Sequence, residues 1–339
     1  MEKIKQIVFV EKNIAKLLES DFPQIGEHEV VVKTTISTIS CGTERANLTG
    51  DLNINGAAPA EAEAHFPRFP GYCSTGVVVG IGDAVKSVSV GDRVVVFMGF
   101  HKNYNIMPED RVVKIEEDVT DSEAAMAYIA TFPLAAVRKT KIELGESALV
   151  MGLGILGQFA VQFAHAAGAV PVIAADPNPV RREMALKLGA DYALDPLEEG
   201  FADKVKQLSG GGVNAAIEVT GVGAGLDETL DCMKKYGRVA LLGCTRDKNF
   251  TIDYYRKVHF PGIQLIGAHT AARPETESYP NYWTHQDDIK AYLRLCASKR
   301  IHPSEMIGEV HKPEECEDVF HRLAFDKDFP VVVQFDWQA

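Results

Sequence analysis

Three glycines and one acid carry the most specific chemistry in the chain. Gly152, Gly154 and Gly157, with Ile155 and Leu156 between the last two, follow a short apolar run, Ser147–Met151. They precede Gln158–Ala167, where Phe159, Ala160, Phe163 and Ala164 recur at helical spacing. Gly152 permits a tight turn. Gly154, with no side chain, lets a diphosphate approach the free amides of the helix start, and Gly157 lets the helix pack closely on its strand. A second apolar run, Val170–Ala175, ends at Asp176. That acid sits near the separation of about 20 residues at which a carboxylate meets ribose hydroxyls. Strand, glycines, helix and acid in this order point to a dinucleotide. The charge of Asp176 repels a 2′-phosphate and so favours NAD(H) over NADP(H). Arg181 and Arg182 lie just beyond, either as solvated residues of the next helix or as holders of such a phosphate. Other nucleotides, such as S-adenosylmethionine, also use glycine-rich turns.

The elements around this turn alternate. Helical stretches at Arg181–Lys187, Phe201–Leu208 and Leu226–Lys234 are interleaved with strand-like Tyr192–Leu194, Asn214–Val219, Arg238–Leu242 and Ile263–Ile266. The pattern predicts an α/β fold with a Rossmann doubly wound parallel sheet. A ligand then lies outside the carboxyl ends of the strands. Those ends are Asp176, Val219-Thr220-Gly221, Gly243-Cys244-Thr245 and Gly267-Ala268-His269.

Residues 4–100 are β-rich, with runs at Lys5–Val10, Glu29–Ser37, Thr75–Ile81 and Arg93–Phe97. Residues 50–70 form an excursion long enough to be a substrate lid, a subunit contact or a surface insert. Residues 121–142 are helical, with Pro133 expected to interrupt. Residues 286–299 form an amphipathic helix. The strand ending at Phe335 is expected to rejoin the N-terminal β region, making that domain discontinuous.

Composition narrows the classes. A chain of 339 residues with 46% hydrophobic content supports two domains with sizeable cores. A net charge of −12 and no basic run argue against nucleic acid or an anionic membrane as partner. The six cysteines show no CxxC spacing, the start of the sequence has no signal-like apolar core, and no run has the length of a membrane span. Free thiols suit a cytoplasmic location.

Five stretches in order resemble the medium-chain dehydrogenase/reductase, or alcohol dehydrogenase, superfamily. They are Ser40–Glu44, Pro70–Gly76, Val90–Val94, the glycine turn and Gly189–Asp191. The resemblance implies a GroES-like catalytic domain drawn from residues 1–128 and 270–339, with a Rossmann domain of residues 129–269 between them. It also implies an active site in the interdomain cleft and a homodimer or homotetramer. In zinc members a Cys, a His-Glu pair and a third ligand hold the metal. Cys41 matches the first, but Tyr72 stands at the His, Cys73 follows it, and the third position falls near Ala127. The four-cysteine structural lobe is missing. Cys41, Cys73 and His101 form one conceivable zinc set; otherwise the cysteines are ordinary thiols, and the expectation is a zinc-independent protein. The GTER sequence and residues 282–285 resemble a zinc-poor branch that includes bacteriochlorophyllide dehydrogenase-like proteins.

Hydride transfer at a carbinol carbon needs a route for the hydroxyl proton and a donor facing the developing oxyanion. The resemblance places Thr43 at the family's catalytic hydroxyl and Glu44 at a structural acid. Tyr72 and Thr43 are the expected donor pair, with His101 as proton acceptor. Alternatively, Tyr72 only fills the vacated metal pocket and His101 is an exposed loop residue. Gly243 and Cys244, and Ala268 and His269, match main chain that holds the nicotinamide carboxamide; Thr220 and Gly221 line the adenosine side. Three functions follow. One is an NAD(H)-dependent oxidoreductase interconverting a secondary alcohol, polyol or sugar-derived, and a ketone. The second is a zinc-free NADPH-dependent enone or quinone reductase, and the third a non-catalytic nucleotide-binding protein. The substrate is a small molecule whose specificity lies in residues 50–70, 99–105 and 271–285.

Overall fold

Consecutive valines at 30–32 and 94–96 are buried on both faces of their strands and seed the first β layer. The computed structural model describes residues 3–51, 63–244 and 249–339. Contact density divides the chain into two units, Met1–Tyr128 with Ile307–Ala339, and Ile129–Met306.

The first unit opens with β1 (Ile4–Glu11) and β2 (Ile14–Ser20), an antiparallel hairpin turning at Asn13, whose φ is 63°. Next come β3 (Glu29–Thr38), α1 (Cys41–Leu48), β4 (Cys73–Ile81), β5 (Arg93–Phe97), β6 (Tyr104–Pro108) and β7 (Val112–Lys114). A capping box of Thr120 and Glu123 starts α2 (Asp121–Ala124). The helical stretch breaks after α2 and resumes as α3 (Ala127–Thr140), which belongs to the second unit from Ile129 on and carries Pro133 in its interior. The expected interruption at Pro133 does not occur. The proline forfeits a single ladder bond, and Ala135, Ala136 and Val137 beyond it are buried, so packing carries the helix through.

The second unit continues with β8 (Ala148–Met151), α4 (Ile155–Ala166), β9 (Val172–Ala175), α5 (Pro179–Lys187), β10 (Tyr192–Leu194) and α6 (Phe201–Ser209). It closes with β11 (Val213–Glu218), α7 (Gly223–Asp231), β12 (Met233–Leu241), β13 (Gln264–Gly267) and α8 (His285–Ala297). The six strands form one parallel sheet in the order β10-β9-β8-β11-β12-β13. Leu149, Met151, Ile173, Ile217 and Val239 are fully buried in it, as a sheet covered on both faces requires.

The chain then returns to the first unit through β14 (Ile307–His311), α9 (Cys316–Phe325) and β15 (Val332–Asp336). Strand β15 pairs antiparallel with β3 and parallel with β14, so the sheet runs β14-β15-β3-β4-β5-β7, with β6 also on β3. Ile7, Phe9, Ile39, Leu48, Phe320 and Phe335 make one core joining β1, α1, α9 and β15.

The expected second boundary at residue 269 is corrected: residues 270–306 belong with the second unit. Three contacts explain why. Asp288 of α8 binds Arg138 of α3, Tyr292 packs edge-on against Phe159 of α4, and Gln162 accepts the amide of His302 at 2.6 Å. Among the described residues no helix is long and apolar enough to cross a membrane. Most of the expected lid, residues 52–62, and Thr245 lie outside the described residues.

Candidate active site

In the second unit, the glycine turn joins β8 to α4. A Cβ on Gly157 would stand 1.8 Å from the Gly152 carbonyl oxygen, so that position admits no side chain. A Cβ on Gly154 would meet nothing within 4 Å; the space beside the helix start is open. Gly154 is the N-cap of α4 and no side chain caps it, which leaves the amides at Ile155 and Leu156 for an anion. Gly152 and Thr220 face each other across the tips of β8 and β11.

Asp176, 5% exposed, ends β9 beside the turn. Its Oδ2 accepts from the Leu153 amide at 2.8 Å and its Oδ1 from the Asn178 amide at 2.8 Å. The acid therefore ties the glycine turn to its own strand tip. Arg181 Nη1 lies 3.8 Å from Asp176 Oδ2. Arg182 turns instead to the carbonyls of Asp176 and Pro177 and to Asp195. Sequence reasoning missed Gln158, whose buried amide donates to Leu153 O at 3.3 Å and to Arg181 O at 2.8 Å. It also missed Glu218 at the end of β11. That carboxylate accepts the Thr220 amide and hydroxyl, and burial pushes its pKa up against those bonds. A strand ending in glutamate, threonine and glycine was the available signal.

Farther along the sheet, Gly243 sits against the main chain of Val219 and Gly221, with no room for a Cβ. Cys244 is exposed, Ala268 is buried, and His269 is exposed. These strand tips share one sheet with the glycine turn, and a nicotinamide dinucleotide fits the donor set they present.

The first unit holds a different cluster. The Tyr72 hydroxyl donates to Ser40 Oγ and also bonds Thr43. Desolvation at this inward-turned hydroxyl pushes its pKa well above the ordinary phenol range, so at neutral pH it is a donor and not a base. Tyr128 packs edge-on against the Tyr72 ring at 5.5 Å and stacks on Phe97 at 5.4 Å. Ser40 donates its amide to Glu44 Oε1 at 2.9 Å. Ser40 was not singled out from the sequence, since a serine before a short helix reads as a cap.

His101 is corrected on both expectations. It is neither exposed nor placed as a proton acceptor for substrate. It is fully buried, with Nδ1 at 2.8 Å from Ser37 Oγ and Nε2 at 3.0 Å from Glu44 Oε2. Gly71, at φ +90°, permits this: a Cβ there would stand 2.4 Å from the His101 amide nitrogen. The conceivable zinc set does not assemble either. Cys41 Sγ rests 3.7 Å from Val331 O, Cys73 Sγ accepts the Tyr128 amide at 3.3 Å, and His101 is committed to Ser37 and Glu44. Among the described residues no three His, Cys, Asp or Glu side chains could hold a metal ion together. A catalytic zinc, which takes about three such ligands, does not fit this donor set.

Comparisons with known proteins agree with the architecture. Residues 26–117 match the model of the alcohol dehydrogenase GroES-like domain, and residues 156–285 that of the zinc-binding dehydrogenase. L-threonine 3-dehydrogenase of Pyrococcus horikoshii is 30% identical over 283 residues, 75% of this chain and 79% of that protein. D-guloside 3-dehydrogenase of Escherichia coli K12 is 25% identical over 324 residues, 91% and 92% of the two chains. Among solved structures, a short chain alcohol dehydrogenase from Escherichia coli CFT073 complexed with NADH superposes with a TM-score of 0.83 at 19% identity, covering 99% of this chain and 100% of that one. A dehydrogenase from Sinorhizobium meliloti 1021 bound to NADP gives 0.80 at 21%, covering 99% and 100%. With both of its domain models matched in order, the chain belongs to the medium-chain dehydrogenase/reductase superfamily.

Proposed function

We propose that the protein is an NAD(H)-dependent dehydrogenase that interconverts a secondary alcohol and a ketone on a small polyol or sugar-derived substrate, without a catalytic zinc. The alcohol-oxidising class is the one its relatives share, and the threonine and guloside enzymes both act at a secondary carbinol by their names. The observation that carries the zinc-free reading is the hydroxyl cluster of Tyr72, Ser40 and Thr43 where zinc members keep a histidine ligand. The matched model named for zinc covers residues 156–285 and none of these positions.

The nicotinamide supplies the hydride acceptor or donor; the chain supplies the rest. Gly152, Gly154 and Gly157 with the amides of α4 hold the diphosphate, and Asp176 faces the adenosine ribose. Gly243, Cys244, Ala268 and His269 frame the other end, and Thr220 and Gly221 line the adenosine side. Tyr72, kept protonated by its surroundings, turns its single proton from Ser40 Oγ to the substrate oxygen, with Thr43 as the second hydroxyl. Glu44 and His101 hold Ser40 from beneath and do not meet substrate.

Asp176 favours NADH, although Arg181 stands near enough to moderate its repulsion of a phosphate. Three measurements test the reading. Elemental analysis of active protein should find no stoichiometric zinc, and NADH should bind more tightly than NADPH. Tyr72→Phe should lower turnover on a responsive polyol by about 10²–10³-fold. Unchanged turnover would remove the phenol from the chemistry, and a preference for NADPH would favour the enone reductase reading.

A further inference from the structure

We propose that Lys139 and Arg273 are positioning residues for the nicotinamide half of the cofactor, acting through the main chain of residues 267–272. The inference rests on the reading that a dinucleotide lies along the strand tips. Sheet order gives the direction. Asp176 ends β9, the glycine turn ends β8, and β11, β12 and β13 follow on the other side. With the ribose at β9 and the diphosphate at β8, the nicotinamide half extends toward the tips of β12 and β13.

Residues 267–272 leave β13 as Gly267, Ala268, His269, Thr270, Ala271 and Ala272. Four of these six residues are glycine or alanine and His269 is exposed, so packing gives the loop little hold. Buried cations hold it instead. Lys139, 5% exposed, reaches from the last turn of α3 to Gly267 O at 3.0 Å and Ala272 O at 2.5 Å, bracketing the loop. Arg273 Nε donates to Thr270 O at 3.1 Å, while its Nη2 donates to Thr131 O at 2.9 Å. Asp288, fully buried, fixes Arg273 at 3.1 Å and Arg138 at 2.5 Å, and Arg138 stacks on Trp283 at 3.8 Å. The loop closes with Ala272 N donating to His269 O at 2.8 Å.

This arrangement satisfies the carbonyls of Gly267, Thr270 and Ala272 and leaves amides unspent. Among the described residues, the amides of His269 and Thr270 donate to no protein acceptor, whereas that of Ala268 bonds Leu241 O at 3.1 Å. Cations beneath a loop, pulling its carbonyls inward, leave its N–H groups for a ligand. A primary carboxamide, with an oxygen acceptor and an NH₂ donor, is the matching group. Among the described residues the Thr270 hydroxyl is buried without a hydrogen-bond partner, so the loop is held in this form against a local cost.

The test compares two probes on the purified protein, NADH and ADP-ribose, which lacks the nicotinamide. Lys139→Met keeps the length of the stem and removes the ammonium; Arg273→Lys keeps a charge and removes the fork. Each should weaken NADH binding tenfold or more while changing ADP-ribose binding less than twofold. Hydrogen exchange should rise at residues 268–272 and stay unchanged in the glycine turn. A general loss of structure would weaken both probes equally, so parallel weakening, or no change in either, overturns the positioning role. Wild-type protein that binds neither probe overturns the dinucleotide reading and this proposal with it. Wild-type protein that binds both, with unaltered NADH affinity in the variants, overturns this proposal alone. Should Lys139→Met fail to fold, Arg273→Lys and the exchange data on it decide the question.

Discussion

In the cluster around Tyr72 in the first unit the polar groups turn toward one another. Tyr72 meets Ser40, Ser40 meets Glu44, and Glu44 meets His101. Around residues 267–272 of the second unit the buried polar groups are long cations that turn toward main chain, with Asp288 anchoring Arg138 and Arg273. The first arrangement fixes side-chain atoms in space, which suits proton and hydrogen-bond chemistry. The second fixes a stretch of backbone, which suits the binding of a ligand by amides. One molecule thus shows two ways of holding polar groups out of water, each matched to what is being held.

Substitutions can break this contrast. The largest effect should come from Asp288→Leu, which leaves Arg138 and Arg273 without their carboxylate. Removing one partner of a buried ion pair costs about 3–5 kcal/mol, and denaturant unfolding should show a loss of that size. His101→Leu comes next. Among the described residues Glu44, 1% exposed, then keeps only the Ser40 amide, for a cost of about 2–3 kcal/mol. If His101→Leu proves neutral, the histidine is not the support described here. Thr270→Val runs the other way. It removes an unsatisfied buried hydroxyl at nearly constant shape and should be neutral or stabilising by up to about 1 kcal/mol; a clear loss would show that the hydroxyl has a partner.

The smallest effect serves as a surface reference. Arg322 bonds both oxygens of Glu309, at 2.8 and 2.9 Å, and holds its carboxyl down at about 2. A carboxyl lowered in the folded state stabilises above its ordinary range and loses that contribution as pH falls toward about 2. The pair is partly exposed, so Glu309→Gln should cost less than about 1 kcal/mol at pH 7. The gap between variant and parent should close as the pH approaches 2.

The glycine turn was legible in the sequence as a fold element because its pattern is local: glycines, helix and acid occupy one βαβ stretch. The return of β15 to β3 was likewise readable from an apolar run near the end of the chain. Other features were less visible. Strand β2, Ile14–Ser20, lacks strict alternation and takes its form from pairing with β1. Helix α1 is only eight residues long, with its start uncapped by a side chain. Lys139, Arg273 and Asp288 lie far apart in sequence and look like ordinary charges of helices and loops; only tertiary contact makes them a set. His101 misled for the same reason. A loop histidine reads as exposed until the glycine at position 71 and the acid at position 44 are brought around it.

Strand β15 has a consequence for how the protein is made. It lies inside its sheet, between β14 and β3, and contributes Val333 and Phe335 to the core, while Trp337 donates to Ser37 Oγ at 2.9 Å. Residues 1–128 therefore cannot complete their sheet until residues 332–336 have left the ribosome. The stretch 129–306, continuous in sequence, can close on itself during translation. A half-made polypeptide would expose the flank of β3 meanwhile, and trimming the final dozen residues should yield aggregates rather than a slightly weakened enzyme.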